Sequence, residues 1–243
     1  MKDSYVEGII YSNKEISSNI YEIVLEGEFK GEPGQFYMIR GWELDPFLPR
    51  PISICNRDNG KITFLYEIRG RGTHIISNLK KGDTLNLLGP LGNSFDLKSK
   101  GKIALISGGI GIAPMAYLCR KLSAEIDFYC GFRNNIYYLD NIKPYVNNIF
   151  VSTEDGSSGH KGFITELFNP ENYDLVFTCG PIPMMNIVVK MCKTKVPAYV
   201  SMESRMACGI GACLGCSIET VRGMERVCKE GPIFKGEEVV FYD

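Results

Sequence analysis

The sequence predicts a β-barrel, then an α/β domain with a parallel sheet, then a small C-terminal cysteine lobe. Three observations carry this. Residues 5–97 hold short β-branched runs separated by glycine, proline and Asx turns, the pattern of a barrel or sandwich. From Lys102 onward, strand runs alternate with helical stretches, which indicates a parallel sheet. Near the end, Cys208, Cys213, Cys216 and Cys228 crowd into one glycine-rich stretch. The expected units are residues 1–97, 98–202 and 203–243.

The barrel strands are predicted at Tyr5–Tyr11, Ile20–Glu26, Gln35–Arg40, Pro51–Cys55, Ile62–Ile68 and Thr84–Leu88. Glu32-Pro33-Gly34, Asp58-Asn59-Gly60 and Lys81-Gly82-Asp83 supply turns between them. One short helix is expected at His74–Leu79. In the second unit Lys102–Ser107 is a short apolar run, followed by Gly108-Gly109-Ile110-Gly111-Ile112-Ala113-Pro114 and a helical pattern through Leu122. Further strands are expected at Ile126–Cys130, Ile149–Ser152, Leu175–Cys179 and Ala198–Met202. Helices are expected at Phe163–Phe168 and Pro183–Lys193. The tail Glu237–Tyr242 reads as an edge strand.

Composition bounds the function. Apolar residues make up 44% and charged residues 23%, an ordinary globular balance. The net charge of −1, without a lysine or arginine run, gives no electrostatic footprint for nucleic acid or a membrane surface. No apolar segment approaches the roughly 20 residues that span a bilayer. The nine cysteines are odd in number, and no signal-peptide pattern precedes them. A reducing cytoplasm is the expected compartment. Cys55, Cys119, Cys130, Cys179 and Cys192 lie in apolar runs and read as buried hydrophobes.

The cysteine spacing is C-x4-C-x2-C-x11-C. A compact [2Fe–2S] cluster needs thiolates arriving from several sides of one curling loop, and this is the plant-type spacing. Gly209, Gly211 and Gly215 offer the close approach and positive φ that such a loop requires. A zinc knuckle and free buried thiols are the alternatives, although zinc usually takes two shorter paired spacings.

Four further motifs are weak singly. Arg50-Pro51-Ile52-Ser53 opens a strand with a guanidinium suited to a phosphate. Gly70-Arg71-Gly72-Thr73 precedes the short helix, whose N-terminus is an anion site, with Thr73 as N-cap or phosphate donor. Gly108, Gly109 and Gly111 follow a strand and open a helix, the position of a nucleotide pyrophosphate loop. Cys179-Gly180-Pro181 ends another strand and faces the same crevice, as does Glu154-Asp155-Gly156-Ser157. Each also reads as an ordinary turn, cap or edge.

Their order is more specific. R-P-x-S, G-x-G-T, G-G-I-G-I-A-P and C-G-P together resemble the ferredoxin–NADP reductase-like flavoprotein superfamily over residues 1 to about 200. The resemblance implies a barrel that holds FAD and an α/β domain that holds NAD(P)H. It implies that Arg50 meets the FAD pyrophosphate, with Pro51 and Ile52 in the same binding strand. It puts Ser53 at the flavin N5 edge. Leu65, Tyr66 and Glu67 would line flavin and ribose, and Gly72 and Thr73 would hold the pyrophosphate. Gly108, Gly109, Gly111, Cys179 and Gly180 would meet NAD.

With its cysteine lobe, the whole chain resembles the electron-transfer subunits of type B dihydroorotate dehydrogenases. That resemblance implies FAD, one [2Fe–2S] cluster on Cys208, Cys213, Cys216 and Cys228, and NAD(H) as substrate. It implies an FMN-containing catalytic partner that oxidises dihydroorotate in pyrimidine (UMP) biosynthesis, in a heterotetramer of two of each. No residue here is expected to act on dihydroorotate itself. The terminal aromatic that covers the flavin in the wider superfamily is not evident. The alternatives are a reductase subunit of an NAD(P)H:ferredoxin, sulfide or hydrogenase system, and a zinc-stabilised binding module.

Overall fold

The computed structural model describes residues 4–242. The first six strands are β1 (Ser4–Ser17), β2 (Ile20–Glu26), β3 (Phe36–Arg40), β4 (Arg50–Asp58), β5 (Lys61–Glu67) and β6 (Thr84–Leu91). They close into a barrel in the order β1-β2-β5-β4-β3-β6. Alternation sends Ile23, Leu25, Ile52, Ile54, Phe64 and Tyr66 into its core. Helix α1 (Arg71–Asn78) connects β5 to β6. It starts earlier than expected, so Gly72 and Thr73 lie in its first turn rather than before it.

The second sheet contains β7 (Lys102–Gly108), β8 (Glu125–Phe132), β9 (Asn148–Thr153), β10 (His160–Lys161), β11 (Leu175–Cys179), β12 (Ala198–Ser201) and, from the C-terminal part, β15 (Ile233–Lys235). The order is β10-β9-β8-β7-β11-β12-β15. All neighbours are parallel except β12 and β15. Helices α2 (Ile112–Lys121), the short α3 (Leu139–Ile142) and α4 (Ile182–Cys192) flank it. The chain runs outward from β7 through β8 and β9, then returns to place β11 on the other side of β7. The strand order therefore reverses between β7 and β11, where ligands bind in open α/β sheets.

Two expectations are corrected. Residues 163–168 form only a 3-10 turn, Ile164–Leu167. Gly162 at φ 131° and Pro170 confine it to too few residues to nucleate an α-helix. The tail does not pair as an edge strand: Gly236–Glu238 is a 3-10 turn, and Val239 makes one bridge to Thr220. The sheet edge belongs to β15.

The units share their cores. Cys55 and Leu65 of the barrel pack with Ile112, Met115 and Cys119 of α2. Tyr117 of α2 enters the barrel core, and its hydroxyl donates to the Gly31 carbonyl at 3.1 Å. The cysteine lobe carries the hairpin β13 (Ser217–Thr220) and β14 (Gly223–Arg226). It packs Cys216, Val227 and Cys228 against Phe36, Met38 and Leu91. Asn93 stitches it down: its amide donates to the carbonyls of Glu230 and Ile233, and its oxygen accepts from Ile233 N–H. Among the described residues, no helix is long and apolar enough to cross a membrane.

Candidate functional site

Arg50 begins β4 and reaches over the first turn of α1. A Cβ placed on Gly72 would lie 2.7 Å from Arg50 Nε and 2.8 Å from the Trp42 ring. Only glycine lets the guanidinium settle on this turn. Nη1 of Arg50 donates to the Leu48 carbonyl at 2.5 Å and the Pro49 carbonyl at 3.4 Å. The N–H groups of Arg71, Gly72 and Thr73 precede the first intrahelical bond, from His74 N–H to the Gly70 carbonyl. Thr73 is not the N-cap, which is Gly70. Its hydroxyl turns back to Gly70, donating to that carbonyl at 3.0 Å and accepting from Arg69 N–H at 3.0 Å. A guanidinium beside open backbone N–H groups, over a cradle that a methyl would fill, fits a diphosphate.

Along β4 and β5 the two faces divide the expected residues. Pro51, Ser53, Leu65 and Glu67 point away from the barrel interior. Ile52 and Tyr66 point into it, and the Tyr66 hydroxyl donates to Asn13 Oδ1 at 3.0 Å. Any contact that Ile52 and Tyr66 make with a ligand would therefore come from the backbone, since period-two alternation places their side chains in the core.

At the switch point the loops after β7 and β11 touch backbone to backbone. A Cβ on Gly111 would lie 2.4 Å from the Cys179 carbonyl oxygen, and one on Gly180 2.8 Å from Gly108 N. Gly109 has φ 53° and open space beside it. Cys179 is only 1% exposed. Its thiol is raised well above the usual range by burial and by the Glu203 charge, against a hydrogen bond with Ser201. Sealed and neutral, the thiol is not a crevice contact; the Cys179–Gly180 backbone is what meets the glycine loop.

Glu203 follows β12 beside Cys179. It is reached by solvent, yet protein surrounds most of it. Burial raises its carboxyl, the Arg69 charge lowers it, and Glu67 raises it again. Arg69 Nε pairs with Glu67 Oε2 at 2.6 Å. The end of β5 thus meets the entry to the cysteine lobe through charged groups. The motif signals did not single out Trp42 or Arg69, because neither belongs to a local pattern.

In the lobe, Gly209 (φ 72°) and Gly211 (φ 80°) take the left-handed region, as the curling loop requires; the third such residue is Leu214 (φ 60°), not Gly215. Gly211 N–H donates to Cys228 Sγ at 3.1 Å. Arg226 braces the loop: Nη1 donates to the Gly211 carbonyl at 2.7 Å while Nε holds Glu230 at 2.9 Å. Cys208 neighbours Cys213, and Cys216 neighbours Cys228. Burial would raise Cys208, but hydrogen bonds from Cys213, Ile210 and Ala212 bring it down to about 6. Burial and its Cys216 neighbour push Cys228 up. Among the described residues, no three Cys, His, Asp or Glu side chains converge as ligands of a single ion. Two adjacent pairs suit a two-iron cluster. The other five cysteines are buried, as expected. Burial pushes Cys55, Cys119 and Cys192 to about 12, so they are poor thiolates.

Barrel, switch-point crevice and cysteine lobe together define an oxidoreductase of the ferredoxin–NADP reductase fold with a built-in iron–sulfur lobe. Residues 203–240 match the family model described as the iron-sulfur cluster binding domain of dihydroorotate dehydrogenase B. Over the whole of both chains, the sequence is 50% identical to the dihydroorotate dehydrogenase B (NAD(+)) electron transfer subunit of Clostridium acetobutylicum. The Clostridium perfringens subunit of the same name is 46% identical, covering 99% of this chain and 100% of that one. The chain belongs to the family of dihydroorotate dehydrogenase B electron transfer subunits. Among solved structures, an NADH-dependent reduced ferredoxin–NADP oxidoreductase superposes with a TM-score of 0.88 at 27% identity, covering 96% of this chain and 90% of that one. The ferredoxin reductase of carbazole 1,9a-dioxygenase shares the fold, with a TM-score of 0.70 at 22% identity, covering 82% and 69%.

Proposed function

We propose that this chain passes electrons between NAD(H) and an FMN-containing dihydroorotate dehydrogenase subunit, through FAD and one [2Fe–2S] cluster, in pyrimidine (UMP) synthesis. The observation that carries this reading is the stretch from Ser201 to Cys208. It leads from the end of β12, beside the nucleotide crevice, past Glu203 to the first cluster cysteine. Residues 1–97 hold FAD, 98–202 hold NAD(H), and 203–243 hold the cluster.

The geometry supports each proposed role. Arg50 and the first turn of α1 bind the FAD diphosphate. Pro51, Ser53 and Glu67 form the wall against the ring system, with Leu65 packed behind it. Gly108, Gly109, Gly111 and Gly180 let the nicotinamide nucleotide approach the backbone at the switch point. Cys208 and Cys213 take one iron, and Cys216 and Cys228 the other. FAD, when bound, exchanges a hydride with nicotinamide and exchanges single electrons with the cluster, so it belongs between the two. Cys213 is exposed, and Ile210 (47%) and Leu214 (63%) rim the cluster loop. This rim faces the catalytic partner in a cytoplasmic heterotetramer of two of each chain.

Cys208→Ser tests the order. NADH oxidation with an artificial acceptor should persist, while dihydroorotate oxidation linked to NAD, reconstituted with the FMN subunit, should vanish. If both activities fall while FAD stays bound, the linear order is wrong. A wild-type chain that reduces ferredoxin but never supports the FMN subunit would favour the ferredoxin-reductase reading, to which the 0.88 superposition lends weight. A colourless, zinc-containing chain would favour the binding module.

A further inference from the structure

The loop between β3 and β4 is organised around the only tryptophan in the chain. Arg40 Nε donates to the Trp42 carbonyl at 2.9 Å, and Arg40 also donates to the Glu43 carbonyl. The Trp42 indole N–H donates to the Pro46 carbonyl. Asp45 pairs with Arg71, which fastens the loop to α1. Leu44 and Phe47 stand out at its tip, 83% and 82% exposed, while the base is tied from both sides.

This base meets Arg50. The guanidinium carbon lies 5.4 Å from the Trp42 ring centroid, within cation–π range. Gly72, Arg50 and Trp42 converge, since a Cβ on Gly72 would touch both side chains within 2.8 Å. Of the five guanidinium N–H groups, those on Nη1 are turned to the Leu48 and Pro49 carbonyls. Those on Nε and Nη2 find no hydrogen-bond partner among the described residues. One side of the fork is tied to the loop, and the other side is left over the first turn of α1.

We infer that Trp42 is a positioning residue for the flavin diphosphate. Its ring and the carbonyls of its loop hold the Arg50 guanidinium flat over α1, so that the unspent N–H groups meet phosphate oxygens without a search through rotamers. An arginine fixed beforehand loses less freedom on binding, and that difference appears as affinity. The inference rests on the flavin site proposed above.

The test is FAD titration of the flavin-stripped full chain, following visible absorbance after ultrafiltration. Trp42→Leu keeps apolar bulk but removes the π face. It should weaken FAD binding about five- to thirty-fold, the equivalent of roughly 1–2 kcal/mol. Trp42→Phe keeps a π face and should stay within about threefold of wild type. The deciding readout is a double-mutant cycle. In an Arg50→Ala background, Trp42→Leu should add no further loss, because there is no guanidinium left to position. A purely structural tryptophan would weaken both backgrounds equally, and that result overturns the inference. If wild type takes up FAD and Trp42→Leu leaves its affinity unchanged, the inference alone falls. If wild type takes up no FAD, the flavin site falls and the inference with it.

Discussion

Gly111→Ala probes the contact between the two switch-point loops. The added methyl would lie 2.4 Å from the Cys179 carbonyl oxygen, 2.6 Å from its carbon and 2.8 Å from Gly180 N. All three are backbone atoms, so no rotamer change relieves the clash. Overpacking costs about 1–3 kcal/mol, and a rigid backbone wall argues for the upper end, about 3 kcal/mol. For a chain of this size each kcal/mol moves Tm by about 2–4 °C, so a fall of about 6–12 °C is expected. Gly109→Ala is the control. It meets nothing within 4 Å and carries only the cost of φ 53°, about 1–2 kcal/mol. The loops must part to admit the Gly111 methyl, so NADH affinity, measured by titration, should fall at least about tenfold. FAD content should not change. A Gly111→Ala protein that melts within 2 °C of wild type, by the same scale, and binds NADH normally would refute the packing argument.

The remaining predictions concern charge and sulfur. Burial raises the Glu203 carboxyl, so ionising it costs more in the folded chain than in the unfolded one. Below about pH 4 both states are protonated, and Glu203→Gln should melt with wild type. As pH rises through the raised folded value, wild type alone loses stability. A Tm advantage for Glu203→Gln should therefore open toward pH 7, and a constant gap at all pH values would contradict the assignment. Two irons and two acid-labile sulfides per chain are expected, a count set by the cluster type. Cys119→Ala and Cys192→Ala should retain both, whereas Cys228→Ala should lose them on anaerobic purification.

Elements marked by local pattern were legible in the sequence. The barrel strands, the β7–α2 turn and β11 all declare themselves through periodicity and glycine placement. The cysteine spacing likewise anticipated the lobe. What remained hidden depended on direction or distance. Tyr66 and Leu65 are adjacent in sequence yet face opposite sides of the barrel wall, which a motif cannot distinguish. Trp42 meets Gly72 only because a loop folds back over α1. Glu203 acquires its raised carboxyl from burial beside Cys179 and from Glu67, against the opposing Arg69 charge, and both charges lie far away in the chain. The tail reads as a strand, but β15 already holds the edge it would have taken.

The Tyr117 side chain has a consequence for engineering. It leaves the helix of one unit to fill the core of another, and its hydroxyl satisfies the Gly31 carbonyl there. A chimaera spliced at residue 97 would import a barrel with a hole where this ring belongs, and export a helix carrying a bare phenol. Loss of a buried aromatic costs about 3–5 kcal/mol, a large part of the 5–15 kcal/mol that holds a typical protein folded. Functional exchange between relatives should therefore move the barrel together with α2, so that the unit of inheritance ends at Lys121 rather than at the linker.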